Sequence, residues 1–298
     1  MKVFDFYSKN TQKCVIALGF FDAVHVGHKK VLTTCIDLSK KLDALPVAFT
    51  FSDSLVAVGK DINNLTTFDE RLDIFSNLGI ESVLTAPCSK EFFDLSPIEF
   101  LEKLKDDFNA RGIVCGQDFT FGKFGAGNID TLSDFCSKNS IDLRVVEVLN
   151  VDGKKIGARD IKSLIRQGKV SMANTLLGYD YFIEGDVKKG RGDGARYGIP
   201  TVNIDYPSEK VVPKSGVYAT KVTVDGVIYN GITNVGSHPT FGDNSANIET
   251  FIIDFNENLY GKTIKVAFLE YVRDIVKFDT KEELKAQIEK DITFARRV

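Results

Sequence analysis

Leu18-Gly19-Phe20-Phe21-Asp22-Ala23-Val24-His25-Val26-Gly27-His28 follows a short apolar run, Cys14-Val15-Ile16-Ala17-Leu18. Beyond it, Val31, Leu32, Cys35, Ile36 and Leu38 recur at helical spacing. The run reads as a buried strand and the periodic segment as a helix. An Asp, a Gly and two His therefore fall on the loop between a strand and a helix N-terminus. Open α/β sheets bind ligands at such loops, where free N–H groups and the helix dipole attract phosphate. The chain has three His, two of them in this loop. Helix capping or solvation would account for them without chemistry. A zinc site fits poorly, because the pair lacks the i, i+4 spacing with an intervening Glu, and no other His or Cys lies close by. Phosphate chemistry is the favoured reading.

The pattern around this loop repeats through the first half. Leu45 to Phe51 reads as a strand, and Thr66 to Leu78 as a helix with a capping box, Thr67 at the N-cap and Glu70 at N3. Glu81 to Ala86, Ile113 to Cys115 and Leu143 to Leu149 read as further strands, and Pro97 to Phe108 and Ile129 to Lys138 as helices. Such alternation predicts a doubly wound α/β unit with a parallel sheet. A helical stretch from Asp160 to Leu177 ends at Gly178. Short strands follow: Tyr181 to Glu184, Val217 to Val224, Val227 to Ile232, Glu249 to Phe255 and Thr263 to Val272. Asp225-Gly226 is a hairpin turn, and a helix from Thr280 to about Ala295 closes the chain. Two domains are expected, residues 1–180 with the connecting helices and residues 181–298, the second an all-β barrel or sandwich.

At 298 residues the chain is long enough for two cores. The net charge of −3 leaves no footprint for nucleic acid or an anionic membrane, and no apolar run approaches a membrane span. The five cysteines, all in the first half and none in Cys-x-x-Cys, suggest buried thiols in a reducing cytoplasm. Small molecules are the expected partners, with self-association left open.

Three more stretches carry chemistry. Gly116 to Asn128 holds four glycines, Asp118, Phe119 and Phe121, suited to backbone approach and to stacking on a flat heterocycle. It is not a P-loop: the spacing to Gly122-Lys123 is too long, and Phe124 replaces the Ser/Thr. Lys188 to Asn203 is a basic glycine loop ending in Pro200-Thr201-Val202-Asn203. Its glycines mimic a dinucleotide fingerprint, but Ile199-Pro200 forbids the following helix. Such a loop can wrap triphosphate oxygens, and Thr201 and Asn203 can orient Mg²⁺ or its waters. Glu249 opens an apolar strand and shares a face with Phe251 and Ile253, a plausible general base.

Together these motifs resemble the prokaryotic bifunctional riboflavin kinase/FMN adenylyltransferase (FAD synthetase) family over nearly the whole chain. Gly19 to His28 is similar to its Gly-x-Phe-Asp-Gly-Val-His-x-Gly-His signature, and Gly116 to Gly122 to its flavin-side loop. Thr67 to Arg71 also resembles a family segment. Gly198-x-Pro200-Thr201-x-Asn203, Asn234-x-Gly236-x-x-Pro239-Thr240-Phe241, Glu249, Leu259-Tyr260-Gly261, and Arg273 through Lys277-Phe278 resemble the flavokinase pattern. The resemblance implies a Rossmann-like nucleotidyltransferase domain of the His-x-Gly-His type, followed by a six-stranded flavokinase-type barrel with a C-terminal helix. It further implies ATP contacts in the first domain at Gly19, Phe20, Asp22, His25, Gly27, His28, Arg159 and Lys162. Flavin contacts there would be Phe51, Asp118, Phe119 and Phe121. In the barrel, Gly190, Gly194, Arg196, Gly198, Pro200, Thr201 and Asn203 would bind ATP, Thr201 and Asn203 would hold Mg²⁺, and Arg273 and Phe278 would meet the flavin. Glu249 would be the kinase base, while His25 and His28 would steady phosphate charge during adenylyl transfer.

The sequence departs from the family at three places. Ala23 replaces a Gly, tolerable where φ stays negative. Ala195 replaces the Arg of a Gly-Arg pair, with Arg196 adjacent. Ile156-Gly157-Ala158-Arg159-Asp160-Ile161-Lys162 stands where the family has Ser-Ser-Thr-x-Ile-Arg, so its hydroxyls are missing. Each lost contact to a charged oxygen costs about 1.5–3 kcal/mol. Adenylyl transfer is therefore expected to be the weaker activity, and a kinase with an impaired nucleotide- or flavin-binding first domain is the alternative.

Overall fold

A computed structural model of the chain describes residues 1–52, 63–147, 150–151, 154–189, 200–237 and 246–298. Its contacts divide into two compact units, Met1–Ala158 and Arg159–Val298. The division falls earlier than the sequence pattern suggested, because the connecting helices pack within the second unit. Asn174 Nδ2 donates to Phe268 O at 2.8 Å, and the Lys214 N–H donates to Ile165 O at 3.2 Å.

The first unit runs β1 (Lys2–Asp5), β2 (Cys14–Leu18), α1 (Val26–Leu42), β3 (Leu45–Phe51), α2 (Phe68–Leu78), β4 (Ser82–Ala86), α3 (Lys90–Phe93), α4 (Pro97–Asp106), β5 (Ala110–Gly116), α5 (Ile129–Lys138) and β6 (Asp142–Val146). A small ribbon of β7 (Asn150–Val151) and β8 (Lys154–Lys155) follows. The six long strands form one parallel sheet in the order β1-β4-β3-β2-β5-β6. β2 is buried along its whole length, as an unbroken apolar run in a central parallel strand must be. Phe6, Phe49, Phe92, Phe100 and Phe108 pack one face of the sheet, and Leu32, Cys35, Phe75 and Val83 the other. The Thr67–Glu70 capping box is present at α2. Four of the cysteines are buried and all five are free thiols.

The second unit begins with α6 (Ala158–Arg166) and α7 (Val170–Leu177). The helical stretch expected over 160–177 is divided at Gly168, whose φ of +78° favours glycine. Gly178 caps α7 in the left-handed conformation, as expected. β9 (Phe182–Lys188), β10 (Thr201–Asp205), β11 (Gly216–Val224), β12 (Val227–Ser237), β13 (Ala246–Ile252) and β14 (Thr263–Arg273) close into a six-stranded barrel, order β10-β13-β12-β11-β14-β9. This settles barrel against sandwich. Asp225 and Gly226, at φ 47° and 83°, make the hairpin turn between β11 and β12. α8 (Lys281–Ala295) lays Ile292 and Ala295 on an outer-face cluster with Val217, Ala219, Ile232, Phe251 and Ile253.

Candidate active sites

The order of the parallel sheet reverses between β2 and β5. Ligands of open α/β sheets sit at the carboxyl ends of the strands flanking such a reversal. The loops leaving those two ends are residues 19–25 and 117–128, the two conspicuous motifs of the first unit.

The first loop is tightly built. Phe21 and Val24 hold φ at 56° and 38°, the second an unusual conformation for a β-branched residue. Strain of that kind costs on the order of 1–3 kcal/mol per residue and persists only where the surroundings fix it. Here Asp22 Oδ1 accepts from the Leu65 and Thr66 N–H groups at 2.8 and 3.3 Å, and Thr66 Oγ1 donates to the Asp22 carbonyl. Asp22 therefore anchors the loop to residues 65–66. Gly19 admits the Phe21 ring, which would stand 2.9 Å from an added Cβ. Ala23 keeps φ out of the positive range, so the loss of Gly there carries no backbone penalty.

His25 is the N-cap of α1. Its Nδ1 accepts from the N–H groups of Gly27 at 3.1 Å and His28 at 3.3 Å. Nδ1 is thus an acceptor, and Nε2 carries the ring proton. The rings of His25 and His28 stack with centroids 3.7 Å apart, and His28 meets the edge of Phe21. Burial pushes the His25 pKa down to about 4, against the fields of Asp118 and Asp22. Burial, then His25 and Arg71, holds His28 well below its ordinary value. The neutral pair can donate hydrogen bonds to phosphate oxygens beside the helix N-terminus.

A stability consequence follows from that burial. Between pH 6.5 and 4 the unfolded chain protonates at position 25 while the folded chain does not, so stability falls as pH falls through this window. For a shift of this size the loss at pH 4.5 is about 2–3 kcal/mol. The urea midpoint of wild type should therefore drop further between pH 7 and 4.5 than that of His25→Asn, which keeps a capping oxygen. Parallel losses in the two proteins would disprove the assignment.

On the second loop, Asp118 is exposed, and Phe119 and Phe121 stack at 5.7 Å with planes 13° apart. Phe121 is buried against Phe100, 5.5 Å away, which gives it a core role and leaves Phe119 as the more accessible ring. Gly122, at φ +71°, lies so close to Pro97 that an added Cβ would come within 2.7 Å of its nitrogen. Phe51 packs between Phe20, Phe92 and Phe93. Arg159 and Lys162 lie in the first turns of α6, within the second unit, where Ile161 and Ile165 are the buried positions.

One residue was underweighted by sequence reasoning. Arg71, only 2% exposed, donates from Nη1 to Phe20 O at 3.1 Å and to Thr50 Oγ1 at 3.0 Å. Its guanidinium lies 5.1 Å from the Phe20 ring centroid. The sequence signal was its place directly after the Thr67–Glu70 capping box.

In the barrel, register assembles the site. Asn203 pairs with Glu249, Glu249 with Asn234, Asn234 with Val217, and Val217 with Arg273. Directly paired residues of adjacent strands point to the same face. One rung thus crosses five strands and carries a carboxylate between two amides. The neighbouring rung, Thr201–Phe251–Ile232–Ala219, puts Thr201 and the apolar cluster under α8 on that same face. Glu249 shares the face with Phe251, as strand alternation required. Its Oε1 accepts from Asn247 Nδ2 at 2.5 Å. The expectation of a loop reaching to Thr201 and Asn203 needs correction: both are in β10, a strand disguised by the glycines and proline before it. Pro200 immediately precedes that strand. Gly190, Gly194, Arg196 and Gly198 lie outside the described residues, as do His238, Pro239, Thr240 and Phe241.

Arg273 is held at the end of the rung. Its Nε is 3.1 Å from both oxygens of Asp291, Nη2 is 2.7 Å from Oδ2, and Nη1 donates to Asp274 O at 3.2 Å. The guanidinium lies 5.8 Å from the Phe278 ring. Asp291, buried on α8, was not singled out by the sequence.

Comparison with known proteins finds a family match for each half of the chain. A FAD synthetase family model matches residues 7–160, and a riboflavin kinase family model matches residues 177–298. The bifunctional riboflavin kinase/FMN adenylyltransferase of Bacillus subtilis is 35% identical over 286 residues, covering 94% of this chain and 90% of that protein. The Escherichia coli K12 protein of the same name is 28% identical over 288 residues, covering 95% and 92%. A crystal structure described as a macrolide-efflux protein from Streptococcus pneumoniae matches with a TM-score of 0.92 at 26% identity, covering 100% of both chains. Among the described residues no helix is long and apolar enough to cross a membrane.

Proposed function

Because the chain belongs to the bifunctional riboflavin kinase/FMN adenylyltransferase family, we propose that its two constellations divide the two reactions between them. The enzyme phosphorylates riboflavin to FMN with ATP and adenylylates FMN to FAD. What supports the division is that each family match encloses one constellation, the first spanning loops 19–25 and 117–128, the second the Asn203–Glu249–Asn234 rung. Having both matches favours two activities over kinase alone.

In the barrel, Glu249 takes the proton from the terminal hydroxyl of riboflavin as that oxygen attacks the γ-phosphate of ATP. Asn247 fixes one carboxylate oxygen, so the other faces the hydroxyl. The reaction needs positioning and charge neutralisation more than covalent help. Thr201 and Asn203 offer neutral oxygens on the same face as a carboxylate, a donor set suited to a hard cation bound largely through phosphates and water. Mg²⁺ held there would neutralise charge on the nucleotide.

In the first unit, the FMN phosphate attacks the α-phosphate of ATP and pyrophosphate leaves. The nucleophile is already anionic and needs no base. His25 Nε2–H donates to a phosphate oxygen, and the positive end of the α1 dipole stabilises charge there. Asp118 and Phe119 would meet the flavin. The missing hydroxyls at 157–159 make this the slower step. The five free thiols support a reducing, cytoplasmic setting.

The test is a time course with riboflavin, ATP and Mg²⁺, resolving FMN and FAD. FMN should accumulate first and FAD follow more slowly. FMN that never proceeds to FAD, even when supplied directly, would leave a kinase alone, and absence of any product would remove both activities.

A further inference from the structure

Asn234 lies beside Glu249 on the rung, on the side away from Asn203. Its Oδ1 is buried and has no hydrogen-bond partner among the described residues. A buried acceptor left unpaired costs free energy of the order of a lost hydrogen bond, so such an atom calls for a donor to complete it, from a ligand or an ordered water. The environment restricts what could complete this one. An acceptor next to a carboxylate repels phosphate oxygens and favours a donor. The Asn203–Thr201 side of Glu249 is assigned to the nucleotide, so the substrate alcohol must leave Glu249 in the other direction. That direction leads over Asn234 toward Val217, Arg273 and Phe278.

We propose that Asn234 Oδ1 accepts a hydrogen bond from a secondary hydroxyl of the ribityl chain, next to the terminal hydroxyl that reacts at Glu249. This rests on the barrel being the riboflavin-phosphorylating unit. One inter-strand step, about 4.8 Å, separates Glu249 from Asn234, a distance that a run of hydroxyls on adjacent carbons can follow. Asn234 thereby selects a polyol over a simple primary alcohol and sets which hydroxyl reaches the base. The amide holds the chain in register, and no proton is transferred to it.

The experiment compares riboflavin with 10-(5-hydroxypentyl)isoalloxazine, which keeps the terminal hydroxyl and lacks the secondary ones. Wild type should prefer riboflavin in kcat/KM. Asn234→Leu should lose about tenfold with riboflavin and little with the analogue, so that its preference collapses. Asn234→Asp keeps the acceptor and should retain the preference, while its added charge moves the acid limb of the pH profile upward through Glu249. Equal losses of Asn234→Leu on both substrates would overturn the proposal. So would a rise in the Mg²⁺ concentration for half-maximal rate with the preference intact, which would make the amide a metal contact. Folding is checked by circular dichroism and thermal unfolding, and Asn234→Ala serves if the leucine variant is unstable. Failure of wild type to phosphorylate riboflavin would instead overturn the assignment of the barrel.

Discussion

Glu249→Gln is expected to lower riboflavin phosphorylation by roughly 10²–10⁴-fold, the usual contribution of a general base, while FMN added directly is still converted to FAD. The replacement is nearly isosteric and keeps an oxygen for Asn247 Nδ2 to donate to, so the local hydrogen bond and the rung survive. What disappears is the capacity to accept the hydroxyl proton. The loss should therefore fall on kcat, with the KM values for ATP and riboflavin little changed, because binding does not require the transfer. Glu249→Ala would also open space on the rung and confuse the two effects. A fall in ATP affinity matching the fall in kcat would mean that Glu249 holds the metal-nucleotide rather than the proton. Retention of full kinase activity would remove Glu249 from the chemistry altogether.

Local signals made much of this legible from sequence. The strand–loop–helix at Cys14 to Leu42, the capping box at Thr67–Glu70 and the Asp225-Gly226 hairpin depend on residues within a turn or two of each other, and the structure has them where expected. Two elements escaped because their local chemistry misleads. β10 reads as loop because glycines and Pro200 lead into it, and only pairing with β9 and β13 makes it a strand. The 158–177 segment has helical periodicity throughout, yet Gly168 turns left-handed and divides it. The site residues that escaped are polar groups with distant partners. Arg71 meets Phe20 across 51 positions, and Asp291 meets Arg273 across 18. Asn234 matters only because four strand pairings bring it onto a rung with Glu249, Asn203 and Arg273. Register is a property of closure, and a one-residue slip would have turned every member of that rung to the other face. The motif residues were visible as a set; their order across the barrel was not.

Arg71→Met should abolish most FAD formation, destabilise the first unit and leave riboflavin phosphorylation intact. The guanidinium is the bond between three segments. It reaches from α2 to the Phe20 carbonyl on the 19–25 loop and to Thr50 on β3, whose own hydroxyl donates to the same carbonyl at 2.7 Å. Burial lowers the Arg71 pKa, while Asp22, Cys88 and Glu70 favour its charged form. Methionine fills the stem volume but removes the charge and both hydrogen bonds. Each buried hydrogen bond lost from the charged donor costs on the order of 1.5–3 kcal/mol. The loop it releases contains the strained Phe21 and Val24 and leads directly into the His25 cap. Misplacing reacting groups by about 1 Å can cost a hundredfold in rate, so FAD formation should fall at least that far. Arg71→Lys separates charge from shape: it keeps a cation near His28 but offers a point donor in place of a fork, and should recover part of the stability and less of the rate. Thermal unfolding and FMN-to-FAD rates measured on both variants, at a temperature where each is folded, decide the matter. Wild-type FAD formation by a folded Arg71→Met protein would show that the loop sets its own conformation, and that the buried arginine serves only the core.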